Sequence, residues 1–192
     1  MHRSRIPVRL GGFSLIEVLI SILILAFGVL AMGGLQLASL RSNQMSGYTS
    51  TAATLAKDYS ELMRSNASVS NVVTATANPY LFDSSNSGSY AATPTKDCKA
   101  NVCTGAEIAT LHVADWAARV KAQLPEGRAV VCRDSTPRNA DGTFDWSCDG
   151  VGTYATIKIG WTDKRDAKER GTPTFAIANP QLVMVGLTGY AE

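Results

Sequence analysis

Acidic residues are missing from the first sixteen positions, and charge of either sign is missing from Val18 to Leu40. Histidine is nearly absent, with only His2 and His112 in the chain. No catalytic constellation gathers around either one. His2 lies in the basic first dozen residues. His112 stands three residues before Asp115, where a base with an orienting acid is conceivable. A partly buried or surface histidine is the simpler reading, so no catalytic residue is assigned and the chain is read as non-enzymatic. There is no glycine-rich phosphate loop. A surplus of one charge is also lacking: 18 Lys and Arg face 16 Asp and Glu, for a net charge of +2. Composition therefore gives nucleic-acid binding no support. Arg119, Lys121, Arg128, Arg133 and Arg138 group loosely, but Asp115, Asp134 and Asp141 are interleaved with them, as on an ordinary mixed surface.

Metal patterns fail in the same way. Asn139-Ala140-Asp141-Gly142 lies near Asp134, Asp145 and Asp149. An EF-hand loop would need an acid at Pro137 and a glutamate at Cys148, so an Asp-Gly turn is expected instead. The four cysteines, Cys98, Cys103, Cys132 and Cys148, form a C-x4-C and a C-x15-C pair with only His112 nearby. Zinc sites favour tighter pairs, often with histidines. An even cysteine count beyond a membrane segment points to two disulfides in an oxidising compartment. Cys98–Cys103 would close a small loop and Cys132–Cys148 would clip a longer one, with the crossed pairings left open. No metal, cofactor or small-molecule substrate is expected.

What the chain does have is an apolar segment. Residues Val18 to Leu40 would rise about 34 Å as a helix, enough to cross a bilayer core. Arg3, Arg5 and Arg9 precede the segment without an acid, which holds the N-terminus in the cytoplasm and places the remainder outside. An ordinary secretory signal is shorter and ends in small residues. Here the small pair Gly11-Gly12 comes before the apolar run, and Glu17 lies inside it. A carboxylate there is costly in lipid, so Glu17 is a functional candidate.

Gly12-Phe13-Ser14-Leu15-Ile16-Glu17-Val18 resembles the processing signal of type IV prepilins and type II secretion pseudopilins. The resemblance implies cleavage after Gly12 by a membrane prepilin peptidase and N-methylation of Phe13. The new amine would head a helix, one turn from Glu17. In a filament, the amine of one subunit and Glu17 of a neighbour would neutralise each other in a low-dielectric bundle. Major pilins often carry a proline near the position of Gly34, and this chain has none there. The Gly33-Gly34 pair reads equally as a soft point or as close helix packing.

The helix should continue past the membrane. Tyr48, Ala52, Leu55, Tyr59 and Leu62 form an amphipathic stripe, giving one helix from about Phe13 to Ser65. Asn66 to Thr95 loses periodicity and reads as a long surface loop. Thr104 and Glu107 fit a capping box that opens a helix over Ala106–Gln123, with Ile108, Leu111 or His112, Trp116, Val120 and Leu124 as its buried stripe. Strands are predicted at Arg128–Arg133, Tyr154–Thr162 and Gln181–Leu187, with a short further one at Thr174–Ala178. In the second, Ala155, Ile157, Ile159 and Trp161 alternate with Thr156, Lys158 and Gly160.

Leu37-Ala38-Ser39-Leu40-Arg41, Leu55-Ala56-Lys57-Asp58, Glu61-Leu62-Met63-Arg64-Ser65-Asn66, Asp115-Trp116, Leu124-Pro125-Glu126-Gly127 and Ile157-Lys158-Ile159-Gly160-Trp161 are similar to the PilV family of minor pilins. The family pattern favours a Glu61–Arg64 pair. The resemblance departs from Ser68 to Lys96. It implies an α+β, type IV pilin-like fold: a long N-terminal helix, transmembrane in its first half, packed on a small disulfide-bonded antiparallel sheet domain. The expected divisions are a leader at 1–12, a membrane and filament half-helix at 13–40, an amphipathic half at 41–66 and a periplasmic globular domain at 67–192. The implied partners are the prepilin peptidase, other minor and major pilins, a tip adhesin and the inner membrane. The implied location is single-pass in the inner membrane with a periplasmic C-terminal domain before assembly, then the extracellular pilus. A type II secretion pseudopilin shares the N-terminal signal, and a membrane-anchored periplasmic binding module is the alternative of another class.

Overall fold

A computed structural model describes residues 12, 14–83, 93–162 and 179–186. Arg3, Arg5, Arg9, Phe13 and the expected strand at Thr174–Ala178 lie outside the described residues. The chain divides into two compact units, the first ending at Met45 and the second beginning at Ser46.

Helix α1 runs unbroken over Leu15–Ser65. The Ser14 carbonyl accepts the backbone N–H groups of Glu17 and Val18, which starts the helical ladder. Within the first unit its large apolar side chains, from Leu15 to Leu40, are exposed all round. This is the one helix among the described residues that is long and apolar enough to cross a membrane. Ser21, on the same stretch, returns its hydroxyl to the Glu17 carbonyl at 2.7 Å, so its polar group is met within the helix.

In the second unit α1 changes character. Ala52, Leu55, Ala56, Tyr59 and Met63 are buried, close to the predicted stripe, while Tyr48 and Leu62 pack at its margin. Helix α2 (Ala67–Ser70) is a single turn, and helix α3 spans Gly105–Gln123. Strands β1 (Phe82–Asp83), β2 (Arg128–Arg133), β3 (Ala155–Gly160) and β4 (Leu182–Gly186) form one antiparallel sheet in the order β1-β2-β3-β4. The register sets Val131 opposite Phe82 and Ile157, and Ile157 opposite Met184. One sheet face, carrying Ala129, Val131, Ala155, Ile157 and Ile159, joins α1 and α3 in the core.

Three sequence expectations change. The segment from Asn66 to Thr95 is not merely a surface loop: it holds α2 and β1, and it buries Asn78 and Tyr80 completely. Asn78 replaces missing backbone pairing, since its amide donates to the carbonyls of Ser70 and Val72 and its oxygen accepts from Tyr80 N–H. The buried stripe of α3 includes Ala109, Val113 and Ala117 with Trp116 and Val120, whereas Ile108, Leu111 and His112 are only half-buried. Alanine at 109 and 117 lets the helix sit close, which moves the stripe by part of a turn. Finally, β3 is buried on both faces, because the 134–153 connection folds over Thr156 and Lys158.

Candidate functional site

Gly12 lies three residues before α1 and Glu17 in its first turn, and both are exposed. Glu17 is the acid in the helix's first turn, where the helix dipole favours negative charge. Around it stand Leu15, Ile16, Val18 and Ile20, all exposed and apolar. The arrangement can do two things chemically. It can lie in hydrocarbon, and it can offer one carboxylate to a cation brought in by another molecule.

The cysteine pairs are far from that end in sequence. Cys98 is bonded to Cys103 with a Cα–Cα distance of 5.6 Å, and Cys132 to Cys148 at 6.3 Å. With every sulfur bonded, no thiolate remains to ligate zinc. The first bridge lies just before α3. There Thr104 Oγ1 accepts from Glu107 N–H while Glu107 Oε2 accepts from Thr104 N–H at 2.7 Å, forming the predicted capping box. Those hydrogen bonds from Thr104 hold the Glu107 carboxyl below its ordinary range. The second bridge clips the 134–153 connection beside β2.

The acids in that connection each serve a local turn. Asp141 accepts from the backbone and side chain of Thr143, Asp145 from Ser147, and Asp149 from Ser135 and Val151. These hydrogen bonds hold all three carboxyls below the usual aspartate range. No group of three or more metal-ligating side chains occurs among the described residues. The loose basic group likewise disperses: Arg119 pairs with Asp58 at 3.0 Å and Arg128 with Asp83 at 3.6 Å. Arg133 donates to the carbonyls of Gly152 and Thr153, and Arg138 to that of Gly142. Glu61 and Arg64 are 3.3 Å apart on the exposed side of α1.

Two constellations escaped the sequence reading. Tyr80 Oη lies 3.0 Å from His112 Nδ1, and burial pushes the His112 imidazole below its ordinary pKa, partly offset by Asp115. Lys158 on β3 is wholly buried against Asp134, with Nζ–Oδ2 at 2.5 Å. Alternation placed Lys158 only on the face opposite Ala155, Ile157 and Ile159. The signal that could have found the pair is an acid directly after one strand facing a lysine on the next, under a long disulfide-clipped connection. A cleft of about 510 Å³ lies beside β1 and β2, lined by Leu81, Val130, Arg133 and Trp146 among others. Comparison of this chain with family models, with curated proteins and with solved structures gives no match.

Proposed function

We propose that this chain is a non-enzymatic filament subunit of the minor pilin kind, held by α1 in the inner membrane before it is built into a type IV pilus. The observation that carries the reading is the first half of α1: apolar on every side, uncharged from Val18 to Leu40, and bearing a single carboxylate, Glu17, in its first turn. A plain anchor gains nothing from Glu17, which raises the cost of insertion by a few kcal/mol. A subunit that exchanges lipid for neighbouring helices can recover that cost by pairing Glu17 with a cation.

Cleavage after Gly12 supplies the cation, since it leaves the α-amine of Phe13 at the head of the helix. The basic leader places the second unit in the periplasm, which suits its two disulfides. The capped helix α3, the sheet and the second half of α1 then form the part that meets other pilins, with a tip adhesin as a further partner.

Intact-mass and N-terminal analysis of the full chain from its native membrane tests the reading. A chain starting at methylated Phe13 is expected, and a retained leader overturns it. Deletion separates the pilus from the pseudopilin assignment: loss of surface pili and twitching is expected, while loss of protein secretion with intact pili would transfer the subunit to a secretion filament.

A further inference from the structure

Lys158 and Asp134 make an unusual contact for an ion pair. The side chain of Lys158 is 0% exposed and that of Asp134 3%, so water is excluded from both. The ammonium has three protons to donate, yet among the described residues its one hydrogen bond goes to the Ser147 carbonyl. Oδ2 of Asp134, although 2.5 Å from Nζ, receives no aligned hydrogen bond. Oδ1 accepts the backbone N–H of Thr136 at 3.0 Å. As a charged pair, therefore, the site leaves two ammonium protons and one carboxylate oxygen without hydrogen bonds among the described residues, although the ammonium also acts at longer range on the exposed Asp145 and Asp149.

We propose that Lys158 and Asp134 condense to an intramolecular amide bond between Nζ and Cγ. A carboxyl C–O bond of about 1.23 Å puts Cγ within roughly 3.7 Å of Nζ, close to near-attack range. One ammonium proton passes to Oδ2, leaving an amine and a carboxylic acid. The nitrogen lone pair attacks Cγ, and the developing charge on Oδ1 meets the Thr136 N–H, which acts as an oxyanion donor. A second proton leaves nitrogen for the Oδ2 hydroxyl, the Cγ–Oδ2 bond breaks, and one water departs. Nothing is oxidised or reduced. The product has one N–H, already directed at the Ser147 carbonyl, and one carbonyl oxygen, already held by Thr136. Closing Nζ and Cγ to bonding distance then leaves both polar atoms of the amide beside partners that the ion pair already contacts, and neither side chain keeps a charge. The bond would tie the start of the 134–153 connection to β3, next to the Cys132–Cys148 bridge.

The inference concerns the folded second unit and stands apart from the filament reading. The full chain, purified oxidised and folded and held at neutral pH, is then denatured, reduced and weighed. The expected mass is lower by one water than the sequence requires. Proteolysis should give a branched peptide whose fragments join Lys158 to Asp134, and Lys158→Arg should carry its full mass. A folded, disulfide-bonded chain of full mass overturns the proposal. So does a lost water that maps to a linear peptide, which would mark an aspartyl succinimide at Asp134, Asp141 or Asp149.

Discussion

Tyr59 is fully buried and keeps its phenol because the hydroxyl has somewhere to go: it donates to the Tyr80 carbonyl at 2.7 Å. Tyr80 in turn places its own hydroxyl 3.3 Å from the Leu62 carbonyl and 3.0 Å from His112 Nδ1. The chain of contacts ties α1, the 78–83 segment and α3 together through side chains of different polarity. His112 is the titrating member. Its folded pKa lies below the ordinary value near 6.5, so the unfolded chain takes up the proton first. Stability is then complete above that value and falls as pH drops through it. Thermal unfolding followed from neutral to mildly acidic pH should show this fall in the parent chain. His112→Asn should flatten it. The depressed carboxyls of Glu107, Asp141, Asp145 and Asp149 lose their contributions only at lower pH, near and below the ordinary carboxylate range. The two windows can therefore be read separately.

At the scale of elements, α3 depends on its cap. Thr104 and Glu107 satisfy each other's backbone N–H groups, and Lys96 stands 3.7 Å from Glu107. Thr104→Ala should cost about 1 kcal/mol, seen as a lower denaturant midpoint with an unchanged slope. The cap was legible in the sequence because it is a local pattern of four residues. Strand β3 was legible for a similar reason, since apolar residues recur at every second position, and β2 because a short apolar run, Ala129 to Cys132, lies between two arginines. The double burial of β3 was not, because nothing near Lys158 in sequence tells that residues 134–153 return to cover it. Strand β1 was missed because two residues carry no periodicity, and because Asn78 supplies through a side chain what backbone pairing would supply elsewhere. Glu17 and Gly12 were visible at once, since a lone carboxylate in an apolar run needs no partner to be noticed. The Lys158–Asp134 pair could be seen only once β3 and the connection were placed.

For the whole molecule, the two disulfides differ in what they constrain. Cys132–Cys148 closes a sequence separation of 16 and Cys98–Cys103 one of 5. Loop-closure entropy gives about 3 kcal/mol for the longer and about 2 kcal/mol for the shorter. The paired substitution Cys132→Ala with Cys148→Ala should therefore lower stability more than Cys98→Ala with Cys103→Ala, as measured by chemical denaturation. An equal or reversed order would mean that the unfolded chain retains structure around residues 134–153.

The docking stripe of α1 has a consequence in time. Leu55, whose carbonyl accepts the Trp116 indole N–H, precedes its donor by 61 residues. Ile157 and Met184, which also line the core or pack against it, come later still. A ribosome therefore releases the stripe first and its partners last. Through most of synthesis, Leu55, Tyr59 and Met63 face no finished core. The second unit cannot complete its packing until β4 has emerged, so its folding must follow synthesis of nearly all the described chain rather than accompany it.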